Sequence, residues 1–115
     1  MNRRKLGTEQ EKRAVNYLQE QGYEIVEYNY HNRTGEIDII ARDGTYLVFV
    51  EVKYRSDIRM GSPLAAVDLR KQRNICRVAR HYLMVRGLPD QPCRFDVVAV
   101  EGRNISLIKD AFWLT

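Results

Sequence analysis

The chain has 115 residues, 44% of them hydrophobic and 30% charged, with a formal net charge of +4 and an isoelectric point near 9.2. This composition excludes an intrinsically disordered chain and fits one domain, 1–115, with material for a single core; the mild positive charge suits a phosphate-bearing partner without selecting one. Cys76 and Cys93 stand apart with no C-x-x-C spacing, so neither a disulfide framework nor a zinc site is indicated, and with no long apolar run and no hydrophobic leader the expected location is cytoplasmic.

Residues 1–6 form a short basic arm containing Arg3, Arg4 and Lys5, read first as a disordered end and alternatively as a phosphate contact. Thr8 is a candidate N-cap with Glu11 as its capping-box partner, which predicts a helix from Glu9 to Gln21 stopped by Gly22. Ala14, Val15, Tyr17 and Leu18 make its apolar stripe at 100° per residue. Glu11 falls beside that stripe and has two readings, the local capping box and an acid aimed at the sheet. Tyr23 to Tyr28 reads as a strand with Tyr23, Ile25 and Glu27 on one face and Val26 and Tyr28 on the other, followed by a polar connection from Asn29 to Thr34 in which His31 is a surface residue.

The segment Gly35 to Lys53 reads as a hairpin, two β-rich runs around an Asp43-Gly44 turn. Alternation puts Tyr46, Val48, Val50 and Val52 on one face of the second strand and Leu47, Phe49, Glu51 and Lys53 on the other. A strand apolar on both faces is central and covered on both sides, so Glu51 and Lys53 lie at the rim of a packed core. On the first strand Glu36, Asp38 and Ile40 share a face. A turn centred on Asp43-Gly44 sets Asp38 opposite Phe49 and diagonal to Glu51.

Tyr54 to Ser62 is polar and predicts a mobile loop, and Pro63 opens a helical turn to Val67. Asp68 caps a second helix that runs to about Arg86, before Gly87 and Pro89. Ile75, Val78, Ala79 and Tyr82 form its buried stripe, with Lys71 on the same side; Arg70, Arg73, Arg77 and Arg80 form a basic stripe that reads first as the solvated face and alternatively as a phosphate track. Two further strands, Arg94–Val100 and Ile105–Lys109, flank a Glu101–Asn104 turn, with Asp96 either supporting a site or exposed. Ala111 to Leu114 is an apolar cluster covering an edge, either folding back over the second helix or, through Trp113, joining two copies in a weak homodimer.

Carboxylates gathered beside an apolar face repel and resist ionisation unless a cation joins them. Asp38 and Glu51 therefore point to a metal, and oxygen ligands without His or Cys favour Mg²⁺ or Mn²⁺. Lys53, two residues along the face from Glu51, is placed to orient water or stabilise charge on a phosphate. The competing reading is an ordinary Glu51–Lys53 ion pair.

Asp38 followed after a hairpin by Glu51-Val52-Lys53 resembles the PD-(D/E)XK nuclease signature. The order helix, three strands, helix, two strands predicts an α/β fold, a mixed sheet flanked by helices, similar to the restriction-endonuclease-like core. Gly7, Glu11, Gly22-Tyr23, Asn29, Gly35-Glu36-Ile37-Asp38, Phe49 to Lys53 with Arg55, Ser62-Pro63, Lys71 and Arg94-Phe95-Asp96 resemble the small bacterial YraN family, which is similar in turn to archaeal Holliday junction resolvases. Ile37 departs from the nominal proline before Asp38, and Gln10 from a common glycine. The resemblance implies Glu11, Asp38 and Glu51 as metal contacts, Lys53 as a catalytic aid, Arg55 and Lys71 as nucleic-acid contacts, and a Mg²⁺- or Mn²⁺-dependent endonuclease acting on DNA, branched DNA in particular. A binding module of the same fold without cleavage and an RNA nuclease are the alternatives.

Overall fold

Helix α1, Glu9–Glu20, buries Ala14, Val15 and Leu18 on the stripe the sequence predicts, and Gly22, at φ 94°, turns the chain out of it. The structure, a computed structural model, describes residues 9–55 and 67–113, without the Arg55 side chain. The basic arm, Thr8 and its half of the capping box, the loop residues 56–62 and all of the Pro63 turn except Val67 lie outside the described residues.

Five strands follow: β1 Glu24–His31, β2 Glu36–Asp43 and β3 Tyr46–Arg55, then, after helix α2 (Leu69–Val85), β4 Cys93–Glu101 and β5 Asn104–Phe112. They form one sheet in chain order, with β3 and β4 parallel and every other pair antiparallel. Only a crossover can join parallel neighbours, and α2 supplies it. This mixed sheet with a helix on each face is the predicted α/β arrangement, consistent with a restriction-endonuclease-like core. Among the described residues no helix is long and apolar enough to cross a membrane.

Two hydrophobic layers hold the sheet. Val48, Val50 and Val52 of β3 pack with α1 and with Val98 and Val100 of β4, while Leu47 and Phe49 pack with Ile75, Val78, Ala79 and Tyr82 of α2 and with Phe95 and Val97. Alternation along β3 thus sorts the side chains as predicted, because a central strand has apolar cover on both sides.

Four expectations are corrected. Asp43 pairs with Tyr46, so the β2–β3 turn is Gly44-Thr45 rather than Asp43-Gly44, with Gly44 supplying φ 62°. Asp43 stays in the strand because its carboxylate is held there by Arg94 at 2.7 Å. The resulting two-residue shift leaves the faces of β3 unchanged but brings Asp38 level with Glu51 instead of Phe49. Second, β1 continues through Asn29 to His31, pairing Tyr30 with Ile37 and His31 with Glu36, where the sequence suggested a polar connection. Third, the β1–β2 register slips between Ile25 and Glu27, which turns Tyr28 to the α1 layer with Tyr23 and Ile25 rather than to the opposite face with Val26.

Fourth, β2 does not alternate simply through Asp38. Ile37 joins the layer under α2 and Ile39 the layer under α1, so the faces exchange at Asp38. Across from it, between the Tyr28–Ile39 and Tyr30–Ile37 pairs, Asn29 adopts φ 55°, in the left-handed region that Asn tolerates better than other side chains.

Candidate active site

Antiparallel pairing of β2 with β3 runs out at Ile39–Val50. Beyond that point Asp38 replaces the missing rung with its side chain, Oδ2 accepting from the Val52 backbone N–H at 2.8 Å. In the fork so opened, the carboxyl groups of Asp38 and Glu51 are hydrogen-bonded to each other. Glu51 is 6% exposed, and burial followed by the Asp38 charge pushes its pKa up to about 7; burial raises Asp38 as well.

Two lysines face the pair from the α2 side. Lys53 Nζ and Lys71 Nζ each lie 3.7 Å from Glu51 Oε2, both side chains remaining part exposed. Lys71 reaches Glu51 from the first turn of α2, whose position is fixed by the Asp68 cap: Asp68 Oδ1 accepts from the Lys71 backbone N–H at 2.8 Å. The predicted Glu51–Lys53 pair is thus one half of a three-residue arrangement, and Lys71 has the polar partner that a lysine beside core residues requires.

On the α1 side, Glu11 and Asp38 line a small cavity of about 80 Å³ together with Asn29, Ile39, Val52 and Tyr54. Burial raises the Tyr54 hydroxyl to about 12, with the charges of Glu11 and Asp38 adding to the shift. Glu11 therefore faces the same opening as Asp38 across the edge of the sheet. Among the described residues no three His, Cys, Asp or Glu side chains close on one point at metal-binding distance. The donor set nevertheless suits a hard divalent cation: two neighbouring acidic groups with oxygen donors only, and Mg²⁺ commonly takes one or two carboxylates and completes its shell with water.

A match to the profile of uncharacterised protein family UPF0102 covers residues 10–100. The chain belongs to UPF0102. It is 52% identical to a UPF0102 protein of Lachnoclostridium phytofermentans over 113 residues, covering 97% of this chain and 96% of that one. Identity of 52% over 108 residues to a Syntrophus aciditrophicus relative spans 90% and 85% of the two chains, and identity of 44% over 105 residues to one from Legionella pneumophila spans 89% of each. This UPF0102 chain is the YraN-type protein that its motifs resemble.

Of the sequence-predicted site residues, Asp38, Glu51, Lys53 and Lys71 come together and Glu11 lines the adjoining cavity, while the Arg55 side chain lies outside the described residues. Asp96 does not support this site. It is fully buried on the α1 face, accepting from Tyr23 Oη at 2.6 Å, from Arg94 Nε and Nη2 at 2.9 Å each, and from the Asp110 backbone N–H at 3.0 Å. Its alternative reading as an exposed residue is overturned for the same reason: a carboxylate that meets a guanidinium, a phenol and an amide has no need of solvent. Asn29 and Tyr54, lining the cavity beside Asp38, were not singled out as site residues; an asparagine inside a β-rich run was the available signal.

Proposed function

We propose that this UPF0102 protein is a divalent-metal-dependent endonuclease that hydrolyses phosphodiester bonds in nucleic acid. The observation that carries the reading is the Asp38–Glu51 carboxyl pair in the β2–β3 fork, with Glu51 6% exposed and faced by Lys53 and Lys71 at 3.7 Å each. Two buried acids with raised pKa values cost stability in any protein that does not use them, and a cation recovers that cost on binding. DNA, and branched DNA in particular, is the substrate suggested by the resemblance of Asp38 and Glu51-Val52-Lys53 to the resolvase signature.

In this reading Asp38 and Glu51, deprotonated, would hold Mg²⁺ or Mn²⁺, with Glu11, which lines the same cavity as Asp38, as a further oxygen donor. The cation would supply Lewis-acid neutralisation of the phosphate oxygens. Lys53 orients the attacking water and stabilises charge developing on the scissile group. Lys71 keeps Glu51 aligned and draws the phosphate inward. Glu51 must lose its proton before a cation could bind there, so activity is expected to rise with pH through about 7.

A second reading is a nucleic-acid-binding module without cleavage, favoured by the absence of a three-ligand cluster among the described residues. Two copies would be required to cut paired strands, and the 73% exposed Trp113 beside a groove lined by Cys93, Phe95 and Phe112 is the proposed seat of a weak homodimer. The deciding experiment incubates the protein with branched, duplex and single-stranded DNA and with RNA in Mg²⁺ or Mn²⁺, with Lys53→Ala as control. Cleavage of one class that is lost in Lys53→Ala supports the enzyme. Tight binding with no cleavage in either metal assigns the second reading.

A further inference from the structure

Helix α2 contains five basic residues, Arg70, Lys71, Arg73, Arg77 and Arg80, and no acidic one. A helix face that serves only for solvation usually mixes signs, gaining a few tenths of a kcal/mol from each oppositely charged pair three or four residues apart. Here the spacing is inverted. Arg70 and Arg73, Arg73 and Arg77, and Arg77 and Arg80 are like-charge neighbours at three- or four-residue separations, and the first turn carries Arg70 and Lys71 against the positive end of the helix dipole. All four arginines are exposed, and Arg70, Arg73 and Arg77 make no ion pair with any described residue. The bland reading of a solvated face does not account for a sequence that accepts repulsion three times along one stripe.

The stripe also leads somewhere. Arg70, Lys71, Asn74 and Arg77, with Asp68, line an open groove of about 470 Å³. Around the helix, at 100° per residue, Arg77, Arg70, Asn74 and Lys71 follow one another over about 120°, from the outer face to the sheet. At its inner end Lys71 Nζ meets Glu51 at 3.7 Å. At the same level the β1–β2 turn closes on the helix: a Cβ on Gly35 would lie 2.5 Å from Asn74 Nδ2, so a glycine there keeps the Asn74 amide in the groove wall.

We infer that the exposed face of α2 is a phosphate-binding rail that carries one strand of a nucleic acid across Arg70, Arg73 and Arg77 and hands it to Lys71 at the Asp38–Glu51 fork. This deepens the proposed function and rests on it only for what happens at the fork. Arg70 to Arg80 extends about 15 Å along the helix axis, and at 3.4 Å per charge on one strand of a duplex this faces roughly four phosphates. Contacts of this kind bind without base specificity and weaken steeply with salt.

The test is fluorescence anisotropy of a labelled DNA duplex and a four-way DNA junction in EDTA, where cleavage is suppressed, over a salt series. Wild type is expected to bind with a steep salt dependence, and Glu51→Gln to bind as well or better, having lost a negative charge. The Arg70→Gln/Arg77→Gln double variant is expected to bind at least about tenfold more weakly, with a salt slope smaller by about 2, since each lost phosphate contact removes about 0.9. Lys12→Gln, on α1, should leave both unchanged. A melting temperature of the double variant equal to or above that of wild type separates lost binding from lost folding, because relief of like-charge repulsion favours the helix. Unaltered affinity and slope in the double variant, no binding by wild type, or association only with anionic lipid vesicles would each overturn the rail. α2-dependent binding without cleavage in Mg²⁺ would retain it and sink the nuclease reading; cleavage indifferent to Arg70 and Arg77 would do the reverse.

Discussion

The carboxyl groups of Asp38 and Glu51 share a hydrogen bond at the point where β2 and β3 cease to pair. A buried acid whose folded-state pKa is raised to about 7 contributes stability below its unfolded value near 4.5, and that contribution is lost as pH rises through about 7. The melting temperature of the metal-free protein is therefore expected to fall between pH 5 and pH 8, and Glu51→Gln to reduce that fall. Parallel melting curves for the two proteins across this range would show that the pair is not coupled to folding.

Asp38→Asn and Glu51→Gln are each expected to lower cleavage by about 10²-fold or more while preserving affinity for nucleic acid, because the charge lost is at the reacting centre and the basic surface is intact. Mg²⁺ or Mn²⁺ should raise the melting temperature of wild type more than that of Asp38→Asn, since a ligand stabilises the state that binds it. Turnover unchanged in either variant, or equal metal-induced shifts, would remove these residues from the site.

Asp96 is a structural carboxylate, and its removal should affect stability rather than chemistry. Arg94→Ala strands it without its guanidinium and should cost about 3–5 kcal/mol, while Tyr23→Phe removes two bonds to charged groups, the one donated to Asp96 and the one accepted from Arg94 Nη2, and should cost about 2–4 kcal/mol. Burial and the Asp96 hydrogen bond raise the Tyr23 hydroxyl well above the usual phenol range, so it stays a donor at any working pH. Denaturant unfolding measures both; losses under about 1 kcal/mol would mean that solvent replaces the network.

Asn29 holds φ 55° opposite Asp38. Asn29→Gly should keep the left-handed kink and Asp38 in place, whereas Asn29→Val should be the less stable of the two by at least about 1–2 kcal/mol through left-handed strain and lower activity in the folded fraction. Comparable stability and activity in the two variants would show that the kink does not aim Asp38.

Phe112 is buried in the α2 layer, as the folding-back reading of the C-terminal cluster required, yet Trp113 points outward. Light scattering at tens of micromolar is expected to detect a weak dimer that Trp113→Ala reduces to monomer without lowering the melting temperature. Monomer at every concentration would leave Trp113 with no role in assembly.

The apolar pattern of β3 alone announced a central strand covered on both faces, and the caps Asp68 and Gly22 announced where helices start and stop, because those signals lie within a few residues of what they control. Asp38, Glu51 and Lys53 were legible as a set for the same reason: one hairpin carries all three. Lys71 was visible only as an anomaly, a cation on a buried stripe, since its partner lies twenty positions away in the chain. The sequence could not decide the β2–β3 register, because Gly44 permits turns on either side of it and the choice fell to Arg94, which holds Asp43 in the strand from a distant part of the chain. Nor could it decide whether Asp96 was exposed: Arg94 stands two residues away on β4, but Tyr23, from the connection between α1 and β1, and the Asp110 backbone on β5 reach Asp96 only in the folded sheet. Periodicity and capping are local and survive in one dimension; register, burial of charge and the meeting of two acids in a fork arise from contacts between segments, and only the folded sheet could fix them.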